Sequence, residues 1–337
     1  MPTVLESINQ GLHSVMAADS RVVVLGEDIL DPYGGAFKVT KGLSSANPDR
    51  VYTTPISEAA IVGVATGLAL RGMRPVAEIM FGDFLFLAGD QLANHAAKFQ
   101  WMYNDQVRVP MVVRAPMGAR RGYGPTHSQS IEKHFMGVPG LWVVAPHILG
   151  DPGRLLRQAT LEFDAPVVFI ESKTCYGRAL VSAVPGMTST VIADEASPFP
   201  TVVLRHDRSE AADGLLWCYG GMVPHCLEAV QHLKDAEGLH LDLVVVSQLS
   251  PVPATHIERV VGDGDTSLFV YAEEASAEHG WSAEILAQVQ RLLETTERSG
   301  RHVRIGGAHT PIPSSRVLEM DAVPAARDIM ARVLECF

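Results

Sequence analysis

The chain has 337 residues, enough for about two domains, and its 47% hydrophobic and 19% charged residues exclude a disordered, collagen-like or small disulfide-scaffold protein. Its net charge of −11 (27 Lys and Arg against 38 Asp and Glu) repels phosphate backbones, so no nucleic-acid partner is expected. No apolar run reaches the ~18 residues of a membrane span, the start lacks a signal-peptide pattern, and four scattered cysteines fit a reduced, cytoplasmic setting with no membrane partner.

Helical and strand-like patterns alternate along the chain. Leu5, Ile8, Leu12 and Val15 recur at helical spacing, which predicts an amphipathic helix over residues 3–18. A short buried strand over 21–26 comes next, closed by a glycine. Ser57 is placed to cap a helix that runs to about Arg71, with Gly72 as its stop. Residues 75–80 read as a strand and 83–103 as one long helix. Further buried strands are expected at 110–114 and 141–145, then a helix over 149–163 and a strand over 166–171. Strands separated by helices predict a parallel sheet with helices on both faces.

Composition then shifts. Residues 186–213 are rich in Ser, Thr, Pro and Asp without a clean period, and are expected to cross irregularly between a domain at 1–185 and a second α/β domain at 214–337. Strands of that second domain are expected near 215–219, 241–247, 267–272 and 302–306. Its helices fall near 222–236, 253–261, 279–295 and 324–335.

Ligand sites in open α/β sheets gather at the carboxyl ends of strands, so the segments just past the strands carry the candidates. Glu58 sits in the first turn of a helix among apolar neighbours. It is either a dipole-complementing acid or a buried acid that shares a proton with a ligand nitrogen. Met80 to Phe86 puts three aromatics, Phe81, Phe84 and Phe86, at a strand-to-helix junction, as core or with one ring stacked on a flat heterocycle. The Gly-rich segment 118–129 contains His127, a candidate acid/base or oxyanion donor against a structural reading. Its Arg120 and Arg121 are candidate anion holders or a solvated basic pair. Gly262-Asp263-Gly264 resembles the start of a metal-diphosphate motif, but no asparagine comes after it, so it reads as a polar turn.

Taken together, ordered segments resemble the β subunit of the thiamine diphosphate-dependent decarboxylating component of 2-oxo acid dehydrogenases (pyruvate, branched-chain and acetoin types). They are Gly26-Glu27-Asp28 with Gly34 to Leu43, Pro55-Ile56-Ser57-Glu58, Ala77 to Phe84, His127-Ser128-Gln129-Ser130 with Glu132, and Val138-Pro139-Gly140. Tyr219 to Val223, Glu273-Glu274 and Pro311 to Pro313 add weaker matches. The resemblance implies a pyrimidine-type thiamine-binding domain followed by a transketolase C-terminal-like domain. It implies that Glu58 hydrogen-bonds the aminopyrimidine ring and promotes its imino tautomer, that Phe84 packs against that ring, and that Met80 and Ile56 line the same pocket. It places His127 near the reacting carbonyl and the acyl acceptor, with Arg120 and Arg121 as candidates for substrate or acceptor. It further implies a separate α subunit carrying the Gly-Asp-Gly…Asn motif, which holds Mg2+ and the diphosphate in an α2β2 assembly, and a lipoyl acyltransferase core as a further partner. No metal is expected on this chain.

Several positions depart from that pattern. Gly137 stands where many members have a histidine. Gly124-Pro125-Thr126-His127 is similar to the transketolase loop, and Ser247-Gln248-Leu249 replaces an Asp-Leu-Arg. Phe163-Asp164-Ala165-Pro166 replaces the turn linked to a structural potassium ion, so that ion is not expected. The runner-up reading is a split transketolase-like or acyloin-forming subunit that uses the same Glu58, Phe84 and His127. A non-catalytic assembly subunit is a third, opposed by the joint presence of those three residues.

Overall fold

The computed structural model describes residues 1–207, 211–262, 264 and 266–337; Asp263 of the Gly-Asp-Gly turn therefore lies outside the described residues. The N-terminal helix Val4–Ala18 starts in a reciprocal cap: Thr3 Oγ1 accepts from the Glu6 N–H, and Glu6 Oε2 accepts from the Thr3 N–H. Its buried face, Ile8, Leu12 and Val15, keeps the expected period. This helix meets the helix Pro152–Arg157 backbone to backbone. A Cβ on Gly153 would sit 2.2 Å from the Ser7 carbonyl oxygen, so only glycine permits that approach.

The first sheet is built from β1 (Val22–Gly26), β2 (Val51–Thr53), β3 (Arg74–Glu78), β4 (Val112–Met117), β5 (Trp142–Val144) and β6 (Val167–Ser172), all parallel. The second domain contributes β7 (Met187–Ile192), β8 (Thr201–His206), β9 (Gly214–Cys218), β10 (Leu241–Val246), β11 (Gln248–Ser250), β12 (Leu268–Ser276) and β13 (Arg301–Gly307). Strand order is β11-β5-β6-β4-β3-β1-β2 in the first sheet and β13-β12-β9-β10-β8-β7 in the second. Both sheets are mostly parallel, as the alternation of patterns predicts. β11 leaves its own domain and pairs antiparallel with β5, which covers that edge of the first sheet.

Three features differ from the sequence reading. Residues 186–213 contain β7 and β8, which pair antiparallel with each other and extend the second sheet at its edge. Thr188, Ser189 and Thr190 are exposed on β7. A Ser/Thr-rich stretch suits a solvated edge strand and looks like a linker only by composition. The long helix over 83–103 is instead a 3-10 helix Gly82–Ala88, a π-helix Gln91–Ala96 and a short α-helix Phe99–Met102. These helix types share an apolar recurrence that a sequence pattern cannot separate. Ser57 is the N-cap of the helix Glu58–Leu70, but its side chain makes no capping bond.

A buried ion network ties three adjacent strands together. Arg114 Nε and Nη2 donate to Glu171 Oε1 and Oε2 (2.7 and 2.8 Å), and Nη1 donates to Glu78 Oε2 (2.6 Å). Tyr176 Oη adds a 2.6 Å bond to Glu171. This arrangement ties β3, β4 and β6 together near the end of the sheet where the candidate side chains emerge.

Candidate functional site

Because the first sheet is parallel, the segments leaving its strands gather at one end of it. In spatial order from the β2 edge these are Thr54 to Glu58 after β2, Glu27 after β1, Met80 to Phe84 after β3, the loop 118–130 after β4 and Lys173 after β6. Every candidate from the sequence lies at this end.

Glu58 is the first residue of its helix and only 5% exposed. Beside it Glu27, directly after β1, is equally buried. Burial, with the charges of Glu58 and Asp28 adding to it, pushes the Glu27 carboxyl up to about 7. Glu27 Oε1 and Thr54 Oγ1 are buried with no hydrogen-bond partner. Unpartnered acceptors beside a helix-terminal carboxylate fit a ligand that brings N–H donors. Ile56, on the same turn, is 81% exposed, and Val64, Phe86 and Leu87 are exposed on neighbouring turns.

The other half of the site is aromatic. His127 meets Phe81 and Phe84 edge-on, with ring centroids 4.8 and 5.1 Å apart, and its Nδ1 lies 3.0 Å from Thr126 Oγ1. Phe81 also contacts Phe37 and Tyr123 edge-on. Met80 and Phe84 are half-buried, which leaves part of each surface free to face a ligand.

The loop with His127 is held from several sides. Gly118 N–H donates across it to the Gln129 carbonyl, and Asp83 Oδ1 accepts from both the Gln129 backbone N–H and Nε2. Glu274 of β12 accepts from Ala119 N–H (2.6 Å) and Ser130 Oγ (3.1 Å), and Glu319 accepts from Gly122 N–H. Lys173 Nζ donates to the carbonyl oxygen of His127.

The two arginines part company. The Arg120 guanidinium donates to the Pro324 carbonyl in the second domain, and burial holds its pKa below the usual value. Arg121 is exposed. The structure thus brings Glu58, Ile56, Met80, Phe84 and His127 to one end of one sheet and commits Arg120 to the seam between domains. Sequence reasoning missed Lys173 and Glu319 and treated Glu27 and Glu274 only as motif members. For Glu27 and Lys173 the available signal was position: each stands directly after a buried strand.

Residues 1–178 match the family described as transketolase, pyrimidine binding domain, and residues 205–329 match transketolase, C-terminal domain. A solved structure described as a split-gene transketolase, inactive beta4 tetramer, has the same fold, with a TM-score of 0.73 over 99% of this chain and 98% of its own at 22% identity. Fold and site together define a subunit of the transketolase class, whose pyrimidine-binding domain implies thiamine diphosphate as cofactor.

Full-length relatives narrow the class. The beta subunit of acetoin:2,6-dichlorophenolindophenol oxidoreductase from Cupriavidus necator is 36% identical, covering 96% of this chain and 94% of its own. The mitochondrial pyruvate dehydrogenase E1 component subunit beta-2 of Oryza sativa is 36% identical over 97% of this chain and 84% of its own. The 3-methyl-2-oxobutanoate dehydrogenase subunit beta of Mycobacterium tuberculosis is 33% identical over 94% and 86%. The chain belongs to the family of β subunits of 2-oxo acid dehydrogenase decarboxylating components.

Proposed function

We propose that this chain is the β half of an enzyme that decarboxylates a 2-oxo acid and passes the acyl unit to a lipoyl group. It is active only with an α subunit that carries the Gly-Asp-Gly…Asn motif and holds Mg2+ and the cofactor diphosphate, in an α2β2 assembly. Thiamine diphosphate, when bound, supplies a carbon acid and an electron sink for decarboxylation. Glu58 would hold the aminopyrimidine through its carboxylate, with Phe84, Met80 and Ile56 as the apolar wall. Glu27, next to Glu58, holds a proton near neutral pH. His127 orients the reacting carbonyl and the incoming acceptor through its ring nitrogens.

The observation that carries this reading is the pairing of buried Glu58 and Glu27 with unpartnered acceptors on one side and the Phe84–His127 aromatic contact on the other. The exposed Ile56, Val64, Phe86 and Leu87 around them fit a site completed by a partner surface. A transketolase-like or acyloin-forming reaction is the second reading, favoured by the Gly124-Pro125-Thr126-His127 loop. The test is co-expression with the α subunit, then assay of 2-oxo acid decarboxylation with lipoyl or aldehyde acceptors. Glu58→Gln is expected to lower turnover at least about 100-fold with assembly intact. Full activity in that variant rejects the assignment, and transfer to an aldehyde without lipoyl acylation selects the second reading.

A further inference from the structure

Lys173 is the first residue beyond β6 and only 1% exposed. Lysine is almost never fully buried without a dedicated partner. Here Nζ donates to the His127 carbonyl oxygen and stands over the rings of Phe81 (5.1 Å) and Tyr123 (5.6 Å). Phe81 is also one of the two rings that meet His127 edge-on. The ammonium therefore touches both supports of the histidine: the backbone that carries it and an aromatic face that orients it. A cation over an aromatic face is attracted to it most strongly when desolvated.

We infer that Lys173 is a positioning residue for His127, holding the loop 118–130 in the register that presents the imidazole to the acyl-transfer site. This inference rests on the function proposed above for His127. The charged form matters because it strengthens both contacts. The charges that act on Nζ are those of Asp83 from the 3-10 helix, Glu274 from β12, Glu319 from the helix Arg316–Ala322 and Arg121 from the loop, while the Tyr123 ring and the His127 carbonyl contact it directly. Burial lowers the ammonium pKa to about 8 against the pull of the three carboxylates. Above that pH the amine keeps a neutral hydrogen bond and loses the cation, so the hold on His127 weakens.

Two variants separate charge from shape. Lys173→Met keeps a linear side chain without the donor, and Lys173→Arg keeps a cation that does not titrate in the accessible range. The first measurement needs no turnover. The full chain is labelled with carbon-13 at histidine Cε1, and the His127 resonance is assigned with His127→Gln. The ring currents of Phe81 and Phe84 are expected to displace this resonance in the wild type and in Lys173→Arg, and the displacement is expected to collapse in Lys173→Met. An unchanged His127 resonance in Lys173→Met overturns the inference, whatever turnover does.

The second measurement is the pH profile of the assembled enzyme. Lys173→Met is expected to lose about tenfold to a hundredfold in kcat with little change in KM, and Lys173→Arg to recover kcat and lose the alkaline limb near pH 8. A limb that survives in Lys173→Arg removes the charge from the argument. A resonance that moves in Lys173→Met while the wild-type assembly turns over no 2-oxo acid leaves the positioning intact and rejects the proposed function instead.

Discussion

At the scale of single residues, the site is set by what burial does to carboxylates. Glu27 and Glu58 share one end of adjacent strands, and a neighbouring like charge in a desolvated corner opposes the ionisation of Glu27. Burial is the larger cause for Glu27 and the Glu58 charge the next. Titration of carbon-13-labelled glutamates should therefore show, beside the Glu132 step, a second step near pH 7 that vanishes in Glu27→Gln. In Glu58→Gln the step should move down yet stay above the ordinary carboxyl range, because burial remains. A step that does not move in Glu58→Gln would mean that the two carboxylates do not sense each other. Glu58, Phe84 and His127 were legible in the sequence because each comes after a strand and matches an ordered motif. Lys173 offered only its position directly after a buried strand, because the bond that defines it reaches 46 residues back to a backbone carbonyl and leaves no trace in local spacing.

At the scale of elements, the apolar periods located the main helices and the buried strands, and failed where an element is short, polar or shared. β7 is an edge strand of Thr and Ser, so its composition mimics a linker. β11 is three residues long and serves the other domain's sheet, which no local pattern reveals. The Arg114 network escaped for a related reason: its partners lie 36 and 57 residues away, and Arg114 and Glu171 are each the one charge in an apolar strand. A charge inside such a strand was the signal for it. Glu171 and Arg114 are within 1% of full burial, so removing the cation leaves two carboxylates in low dielectric. Arg114→Met should destabilise the first domain by about 3–5 kcal/mol, measured by chemical denaturation. Arg114→Met/Glu171→Met, with one carboxylate also removed, should recover part of that loss. A single variant as stable as wild type would show that the network is incidental to β3–β4–β6 alignment.

At the scale of the whole molecule, the two domains meet through carboxylates that bridge to the loop 118–130, so the second domain is part of the candidate site's scaffold. Glu274 binds both ends of the loop. Close by, Glu132 accepts a hydrogen bond from Tyr219 Oη across the seam, while its other oxygen, Oε2, is buried with no partner. Burial pushes the Glu132 carboxyl up to about 7, against the lowering effect of Tyr219. The unfolded chain gives up this proton near the ordinary value of 4.5, whereas the folded chain keeps it to about 7. Between those values the native state binds more protons than the unfolded one, so stability falls as pH rises. The contribution is complete below pH 4.5, declines across the interval and is absent above about 7. Glu132→Gln keeps an acceptor for Tyr219 and removes the ionisation. It should match the wild type near pH 5 and exceed it at pH 8 by up to about 3 kcal/mol, read as denaturation midpoints across pH. Equal pH dependence in the two proteins would show that Glu132 ionises without cost, with water reaching the seam, and would remove this carboxyl as the source of any acid-side strengthening between the domains.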